Sequence, residues 1–297
     1  MKKIDFFIIG AQKSGTTSLF EYLKSIKSKI QLPLVKEMQV FTDENLYADF
    51  PHNINSFYSQ DFLETHRIGM ADVGILFSYN KTAQRIYDYN PEAKIIIMLR
   101  DPIKRAYSAY YFSRKNTREK ENLFSTAIFD ESRDLLSEND QLALNYLKVS
   151  SYYEQTKTFL NLFNKDQVYI CIMEEFLLNK EREFLKILNF LDVSSDSFDI
   201  NILNKKYNEG GVAKYKFVQK LFKQDNWLRK IYKQTFSLEN RMKFRNKYIN
   251  PLLKINMLNV KSPDLDLLTR KKLEEYFDEE VKKLTILLDK DLKKLWF

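Results

Sequence analysis

The chain of 297 residues has little of several residue types that mark particular protein classes. Its one cysteine, Cys171, excludes an internal disulfide and a cysteine-rich zinc site, and it fits a reducing compartment. Two histidines, His52 and His66, exclude a three-histidine metal site. Six glycines and six prolines are too few for a collagen, a linker or a low-complexity chain. We expect a soluble, cytoplasmic protein, because Asp5 and Lys13 interrupt the apolar start and no run approaches the roughly 18 apolar residues of a membrane span.

Hydrophobic residues make up 44% of the chain and aromatic residues 14%, which is enough for a packed core and excludes disorder. Short apolar runs alternate with helical patterns, as is typical of parallel strands covered on both faces. The predicted strands are 4–10, 95–99 and 168–173. The predicted helices are 16–27, 81–89, 102–117, 150–163, 176–191, 214–234 and 269–289. We therefore predict one α/β domain over residues 1–297, a P-loop-like three-layer fold with a central, mainly parallel sheet and a helix-rich C-terminal half.

The formal net charge of +8 is concentrated in one segment. Residues 214–254 contain twelve basic side chains and only two acidic ones, Asp225 and Glu239, within a basic helical portion at about 214–297. Such a block attracts a polyanion or a membrane surface. It is equally typical of a solvated helical face whose lysine stems cover apolar residues. The sequence leaves both interpretations open.

The first predicted strand runs into a short glycine-containing segment, residues 10–18, and then into a helix. A turn of this kind directs backbone N–H groups and the positive end of the helix at one point, which makes an anion site. Lys13 adds a full charge, and Thr16, Thr17 and Ser18 add hydroxyl groups. The lysine that a P-loop has directly after its second glycine is Thr16 here, which disfavours a conventional ATPase or kinase. An atypical P-loop nucleotide kinase remains an alternative.

A second anion-binding pattern follows the predicted strand 95–99. Arg100 leaves the carboxyl end of that strand, where open α/β sheets bind ligands. Ser108 lies eight residues later, about two turns into the next predicted helix. An arginine can contact a phosphate with two parallel hydrogen bonds, and the serine can add a hydroxyl group.

Together these two patterns resemble those of the sulfotransferases that use 3′-phosphoadenosine 5′-phosphosulfate (PAPS). In that family a Lys-x-Gly-Thr-Thr loop binds the 5′-phosphosulfate, and a strand-ending Arg and a helical Ser bind the 3′-phosphate. The resemblance extends over 152–163, 174–177 and 287–296, so that it covers nearly the whole chain. It implies PAPS as cofactor, adenosine 3′,5′-bisphosphate as its product, and no metal. The residues that it assigns to the cofactor are Lys13, Ser14, Gly15, Thr16, Thr17, Ser18, Arg100, Ser108 and Lys214.

Lys214 belongs to a segment that admits two interpretations. Residues 208–216 stand where the family places a loop over the nucleotide, and Lys214 matches the basic position at the 3′-phosphate. The same residues could form an ordinary turn before a helix.

Residues 36–41 resemble the Lys-Glu-x-His-Phe-Phe segment of the carbohydrate (heparan-sulfate-like) branch of the family, in a bacterial-type chain. In that branch the Glu is the catalytic base, so the resemblance implies this role for Glu37, while Lys13 stabilises the leaving phosphate. Two departures lie on the acceptor side: Gln39 replaces the family His, and the family's Lys-Ser/Thr-Pro segment is absent near residues 72–74. His52 and His66 lie in no family-like motif, and we expect neither to be catalytic.

The resemblance implies in-line transfer of a sulfuryl group from PAPS to a hydroxyl, or secondarily an amine, of a glycan or glycoconjugate. The basic segment points to an acidic or lipid-linked acceptor and to peripheral contact with a membrane, and no nucleic-acid partner is implied. A non-enzymatic protein that binds polyanions or nucleic acid through residues 214–254 is the alternative from another class.

Overall fold

The structure is a computed structural model, and it describes residues 3–50, 57–58, 66–205, 207, 212–213, 215, 238–258 and 263–297. Its central sheet consists of β1 (Phe6–Gly10), β2 (Ile30–Gln31), β3 (Arg67–Ala71), β4 (Lys94–Leu99) and β5 (Val168–Ile172). All four strand pairings are parallel, in the order β2-β3-β1-β4-β5. An antiparallel pair joins β6 (Val212–Ala213) to β7 (Met257–Leu258).

Helices flank this sheet and dominate the second half of the described chain. They are α1 (Thr16–Lys24), α2 (Glu44–Ala48), α3 (Gly74–Phe77), α4 (Tyr79–Tyr89), α5 (Pro102–Lys115), α6 (Phe124–Ile128), α7 (Glu138–Leu144), α8 (Tyr146–Ser150), α9 (Tyr153–Leu162), α10 (Met173–Leu178), α11 (Lys180–Phe190), α12 (Leu238–Phe244), α13 (Asn250–Ile255), α14 (Leu267–Leu288) and α15 (Leu292–Trp296). Of the described helices, none is long and apolar enough to cross a membrane.

The sheet is buried on both faces because its strands are nearly continuous apolar runs. Along β4, Ile95 and Ile97 belong to one hydrophobic cluster, while Ile96 and Met98 belong to the cluster on the opposite face. Every residue of β1 is buried as well. Fully burying such a side chain contributes about 1.5–3 kcal/mol, so that the two clusters hold helices on both sides of the sheet. The predicted three-layer α/β fold is confirmed.

Two strands of the sheet, β2 and β3, escaped the sequence analysis. β2 has only two residues, and β3 reads Arg-Ile-Gly-Met-Ala, with a single β-branched side chain. The glycine of β3, Gly69, is required by a close approach, since a Cβ there would lie 2.1 Å from the Phe6 ring. A sequence pattern cannot reveal such a neighbour.

The predicted helices are present with shifted ends wherever the structure describes them. The predicted helix 176–191 is two helices, separated at Asn179, whose side chain accepts from the Arg182 N–H and begins α11. The structure does not describe His52, Lys214 or, apart from Tyr215, the predicted helix 214–234.

The carboxyl ends of four neighbouring strands meet at one edge of the sheet, because all of them run in parallel. β1 leads into the glycine loop, β3 into Asp72, β4 into Arg100 and β5 into Met173. The chain near Glu37 reaches the same edge, where its N–H donates to the Ala71 carbonyl at 2.9 Å. This edge is where open α/β sheets bind ligands.

Candidate active site

The loop between β1 and α1 is shaped to receive an anion. Gly15, with φ 90°, precedes the first turn of α1, and Lys13 has φ 69°, so that the chain curls tightly over the helix N-terminus. The Ala11 N–H donates to the Met98 carbonyl at 2.6 Å, which ties the loop to β4. No side chain caps α1, and its first turn contains no acidic residue. Its first N–H groups therefore remain available to a ligand.

Three cationic side chains surround this helix end. Lys36 Nζ donates to Thr16 Oγ1 at 3.1 Å, and Arg100 Nη1 donates to the Lys13 carbonyl at 3.1 Å. The Lys13 ammonium lies 4.3 Å from the centre of the Phe112 ring. Burial lowers the pKa of Lys13 to about 8, and Arg100 contributes to this lowering. An anionic ligand would relieve the mutual repulsion of these cations.

The loop and Arg100 line one cavity of about 450 Å³, here called the main cavity. This volume is typical of a small-molecule site. The predicted residues that line it are Lys13, Gly15, Thr16, Thr17, Ser18, Glu37, Arg100 and Ser108. The structure thus brings both predicted anion-binding patterns and Glu37 to one place. Ser14 is buried beneath the loop instead, and its hydroxyl has no hydrogen-bond partner within the described ranges.

A second cavity, of about 390 Å³, adjoins the main cavity. Arg100 and Ser108 line both cavities and therefore stand where the two meet. Lys104 and Arg270 add positive charge to the second cavity, although Asp101 and Asp264 line it as well. Lys104 is also paired with Asp101, and Arg270 with Glu274. A ligand with an anionic group at each end fits this arrangement, because cations line both parts of the cleft.

Glu37 stands in the main cavity between Lys36 and the start of α3. One carboxylate oxygen is ion-paired with Lys36, and the other accepts from the Val73 N–H at 2.8 Å. Its side chain is 37% exposed, so that a substrate can reach it. Its backbone is left-handed, with φ 63°, a conformation that costs a non-glycine residue energy and must be held by its surroundings.

Asp72 is a functional candidate that the sequence analysis did not assign. It is buried, and its carboxylate accepts from the Gln39 N–H at 2.8 Å and the Gly74 N–H at 2.9 Å. Burial, as the larger cause, and the nearby Glu37 carboxylate together raise the pKa of Asp72 to about 7. The absence of the family pattern at 72–74 was the signal that this position is unusual.

One wall of the main cavity is mostly polar. Helix α7 contributes Glu138, Asn139 and Leu142, and the chain at the start of α4 contributes Ser78. The remaining lining residues are Gln12 of the loop together with Lys36, Gln39, Thr42, Asp72, Val73, Gly74, Phe77, Phe112, Arg118, Met173 and Tyr207. These residues come from distant parts of the sequence, and only the folded chain brings them together.

The family model of the sulfotransferase domain matches residues 3–249. The bifunctional heparan sulfate N-deacetylase/N-sulfotransferase of Drosophila melanogaster is 29% identical over 215 residues, which cover 64% of this chain and 20% of the relative. Human carbohydrate sulfotransferase 15 is 25% identical over 244 residues, covering 63% of this chain and 43% of that protein. The chain thus spans less than half the length of either relative. The crystal structure of a sulfotransferase from Alicyclobacillus acidocaldarius superimposes with a TM-score of 0.69 and 26% identity, over 99% of each chain.

Proposed function

Since this chain belongs to the sulfotransferase domain family, we propose that it transfers a sulfuryl group from PAPS to a hydroxyl group of a glycan or glycoconjugate. An amine is the second candidate for the accepting group. The observation that carries the proposal is the contact between Arg100 and the Lys13 loop, which unites two separate anion-binding patterns in one cleft. A nucleotide with phosphates at both ends fits such a cleft.

The residues of the cleft divide the work of the transfer. PAPS supplies the sulfuryl group and leaves as adenosine 3′,5′-bisphosphate. The first turn of α1 and the hydroxyl groups of Thr16, Thr17 and Ser18 would hold the 5′ end, and Arg100 and Ser108 the 3′-phosphate. Lys13 would balance the negative charge that grows on the leaving phosphate.

Glu37 would act as the general base. As the acceptor oxygen forms its bond to sulfur and the bond from sulfur to the bridging phosphate oxygen breaks, the acceptor proton passes to Glu37. The exposed fraction of Glu37 and its place in the main cavity support this role. Its bonds to Lys36 and the Val73 N–H fix the carboxylate in one orientation, as proton transfer requires.

A glycan acceptor is proposed because both curated relatives are named for carbohydrate or heparan sulfate substrates. The polar wall from α7 and Ser78 suits hydroxyl-rich chains, since it offers both donors and acceptors of hydrogen bonds. An acidic or lipid-linked acceptor would be attracted by the basic segment 214–254, most of which lies outside the described residues. A cytoplasmic location also stays a prediction.

Thermal unfolding with adenosine 3′,5′-bisphosphate tests the proposal without knowledge of the acceptor. At about 100 times its dissociation constant the ligand should stabilise the wild type by about 2.7 kcal/mol. Lys13→Ala and Arg100→Ala should lose most of this gain, whereas Lys120→Ala, which removes an exposed lysine from a loop, should keep it. An unchanged melting temperature for the wild type would refute the nucleotide assignment.

A further inference from the structure

Asp72 joins the two chain segments that hold Glu37. One Asp72 oxygen accepts from the Gln39 N–H, and the other accepts from the Gly74 N–H. Glu37 lies in the same segment as Gln39 and is bonded to the segment that contains Asp72. Its side chain accepts from the Val73 N–H, and its own N–H donates to the Ala71 carbonyl. Asp72 therefore closes a small network around Glu37.

This network holds backbone that would not keep its shape alone. Glu37 has φ 63° and Gln39 has φ 59°, and each left-handed non-glycine residue costs about 1 kcal/mol or more. Glycine and asparagine adopt this conformation readily, whereas glutamate and glutamine seldom do. The charge-assisted hydrogen bond from the Gln39 N–H to Asp72 offsets part of that cost.

Asp72 and Glu37 are also neighbouring carboxyl groups. Their side chains accept from the consecutive N–H groups of Val73 and Gly74, and the nearby Glu37 carboxylate is one cause of the raised pKa of Asp72. Asp72 lines the main cavity together with Glu37, although its side chain is almost fully buried.

On the basis of the function proposed above, we propose that Asp72 is a positioning residue for Glu37. It fixes Glu37 in place, and the two side chains form a carboxyl pair that holds the acceptor's proton. The proton leaves the acceptor oxygen for Glu37 as the oxygen–sulfur bond forms and the bond from sulfur to the leaving phosphate oxygen breaks. The pair then shares this proton until solvent removes it.

Other charged groups around the pair favour its ionised form. Lys36 is ion-paired with Glu37, and Lys13 and Arg100 line the same cavity. Glu138 and Arg118 line it as well, and Glu138 is compensated by Lys81 at 2.6 Å. Removing Asp72 would therefore leave Glu37 with cations as its remaining charged partners among these groups.

Carboxyl ¹³C NMR titration of the folded protein tests the pair directly. The Asp72 signal should titrate with a midpoint at about 7, and Glu37→Gln should shift that midpoint downward, because it removes the neighbouring negative charge. The matched control Asp88→Asn, which neutralises an exposed carboxylate on α4, should leave the midpoint in place. An Asp72 midpoint near 4, or one indifferent to Glu37→Gln, would overturn the proposal.

Binding of adenosine 3′,5′-bisphosphate to the same samples distinguishes a failure of the Asp72 proposal from a failure of the proposed function. Asp72→Asn should keep the ligand-induced stabilisation, because the Asp72 carboxylate is hydrogen-bonded to the Gln39 and Gly74 N–H groups and not to the phosphate loop or Arg100. A wild type that binds the nucleotide while Asp72 titrates ordinarily refutes the pair alone. A wild type that does not bind the nucleotide refutes the proposed function, whatever the titration midpoint of Asp72. If Asp72→Asn does not fold, the Glu37→Gln titration still decides.

Transfer of radioactive sulfate from PAPS to desulfated heparan or chondroitin adds a catalytic measurement. Asp72→Asn should lower kcat by about 10- to 100-fold with little change in KM for PAPS, since it removes only part of the roughly 100- to 10,000-fold that a positioned general base contributes. It should also flatten the rise of kcat/KM across pH 6–8. A variant with wild-type kcat and an unchanged pH profile would contradict the role of Asp72.

Discussion

Replacing Lys13 by methionine should stabilise the ligand-free protein, although it removes a residue at the centre of the cleft. The charged form of Lys13 is disfavoured in the folded state, where its pKa falls from 10.5 to about 8. This difference corresponds to roughly 3 kcal/mol. The substitution also removes the cation–π contact with the half-exposed Phe112 ring, a loss of about 1 kcal/mol. Methionine has a similar length and the same backbone preference at φ 69°. We therefore expect Lys13→Met to be more stable by about 2 kcal/mol at pH 7.

The pH dependence distinguishes this cause from a simple gain in packing. Below pH 8 Lys13 is charged in both the folded and the unfolded state, so the full cost of burying its charge lowers the stability of the wild type. Between pH 8 and 10.5 the folded state releases the proton while the unfolded state retains it, so the wild type gains stability as the pH rises. Urea unfolding at pH 7 and pH 10 should show the advantage of Lys13→Met shrinking, with Lys120→Met as the control for loss of an exposed charge. A less stable variant at pH 7, or an advantage independent of pH, would refute the reasoning.

Three further predictions concern the base, the ligand and a buried ion pair. Glu37→Gln should bind adenosine 3′,5′-bisphosphate as the wild type does, by calorimetry, yet lose at least about 100-fold in sulfate transfer, because the neutral amide cannot accept the acceptor proton. The wild type's affinity for this nucleotide should fall as the pH rises through about 8, where free Lys13 loses its charge, and calorimetry should show no such dependence in Lys13→Met. Glu119→Gln should lower the free energy of unfolding in urea by about 3 kcal/mol, because it leaves the buried Arg133 guanidinium, 2.8 Å from Glu119, with the more exposed Asp130 as its ion-pair partner among the described residues. A loss near zero would mean that solvent screens the pair.

The cofactor side of the cleft was readable from the sequence because its parts are local. Each of the two patterns is a strand end followed by a helix start, and the carboxyl ends of parallel strands meet at one edge. Lys13 and Arg100 could therefore be brought together before the fold was known, and the structure places them in contact. Their roles toward the nucleotide stay predictions.

Apart from Glu37, the acceptor side of the cleft could not be predicted from the sequence, and the missed strand β3 explains much of this. Its Gly69 and Ala71 gave no β-strand pattern, so Asp72, which directly follows, could not be placed at the ligand edge. The left-handed backbone of Glu37 and Gln39 likewise depends on hydrogen bonds from a segment more than 30 residues away. The wall from α7 requires the packing of α7 against α3 and α5, which no local pattern encodes.

Calorimetric comparison of adenosine 3′,5′-bisphosphate with adenosine 5′-monophosphate tests the two-ended cleft most directly. The wild type should bind the bisphosphate at least about 10-fold more tightly, since a charge-assisted hydrogen bond is worth about 1.5–3 kcal/mol. Arg100→Ala should remove that preference, while Lys13→Ala should weaken both ligands alike. Equal affinity of the wild type for the two nucleotides would contradict the account.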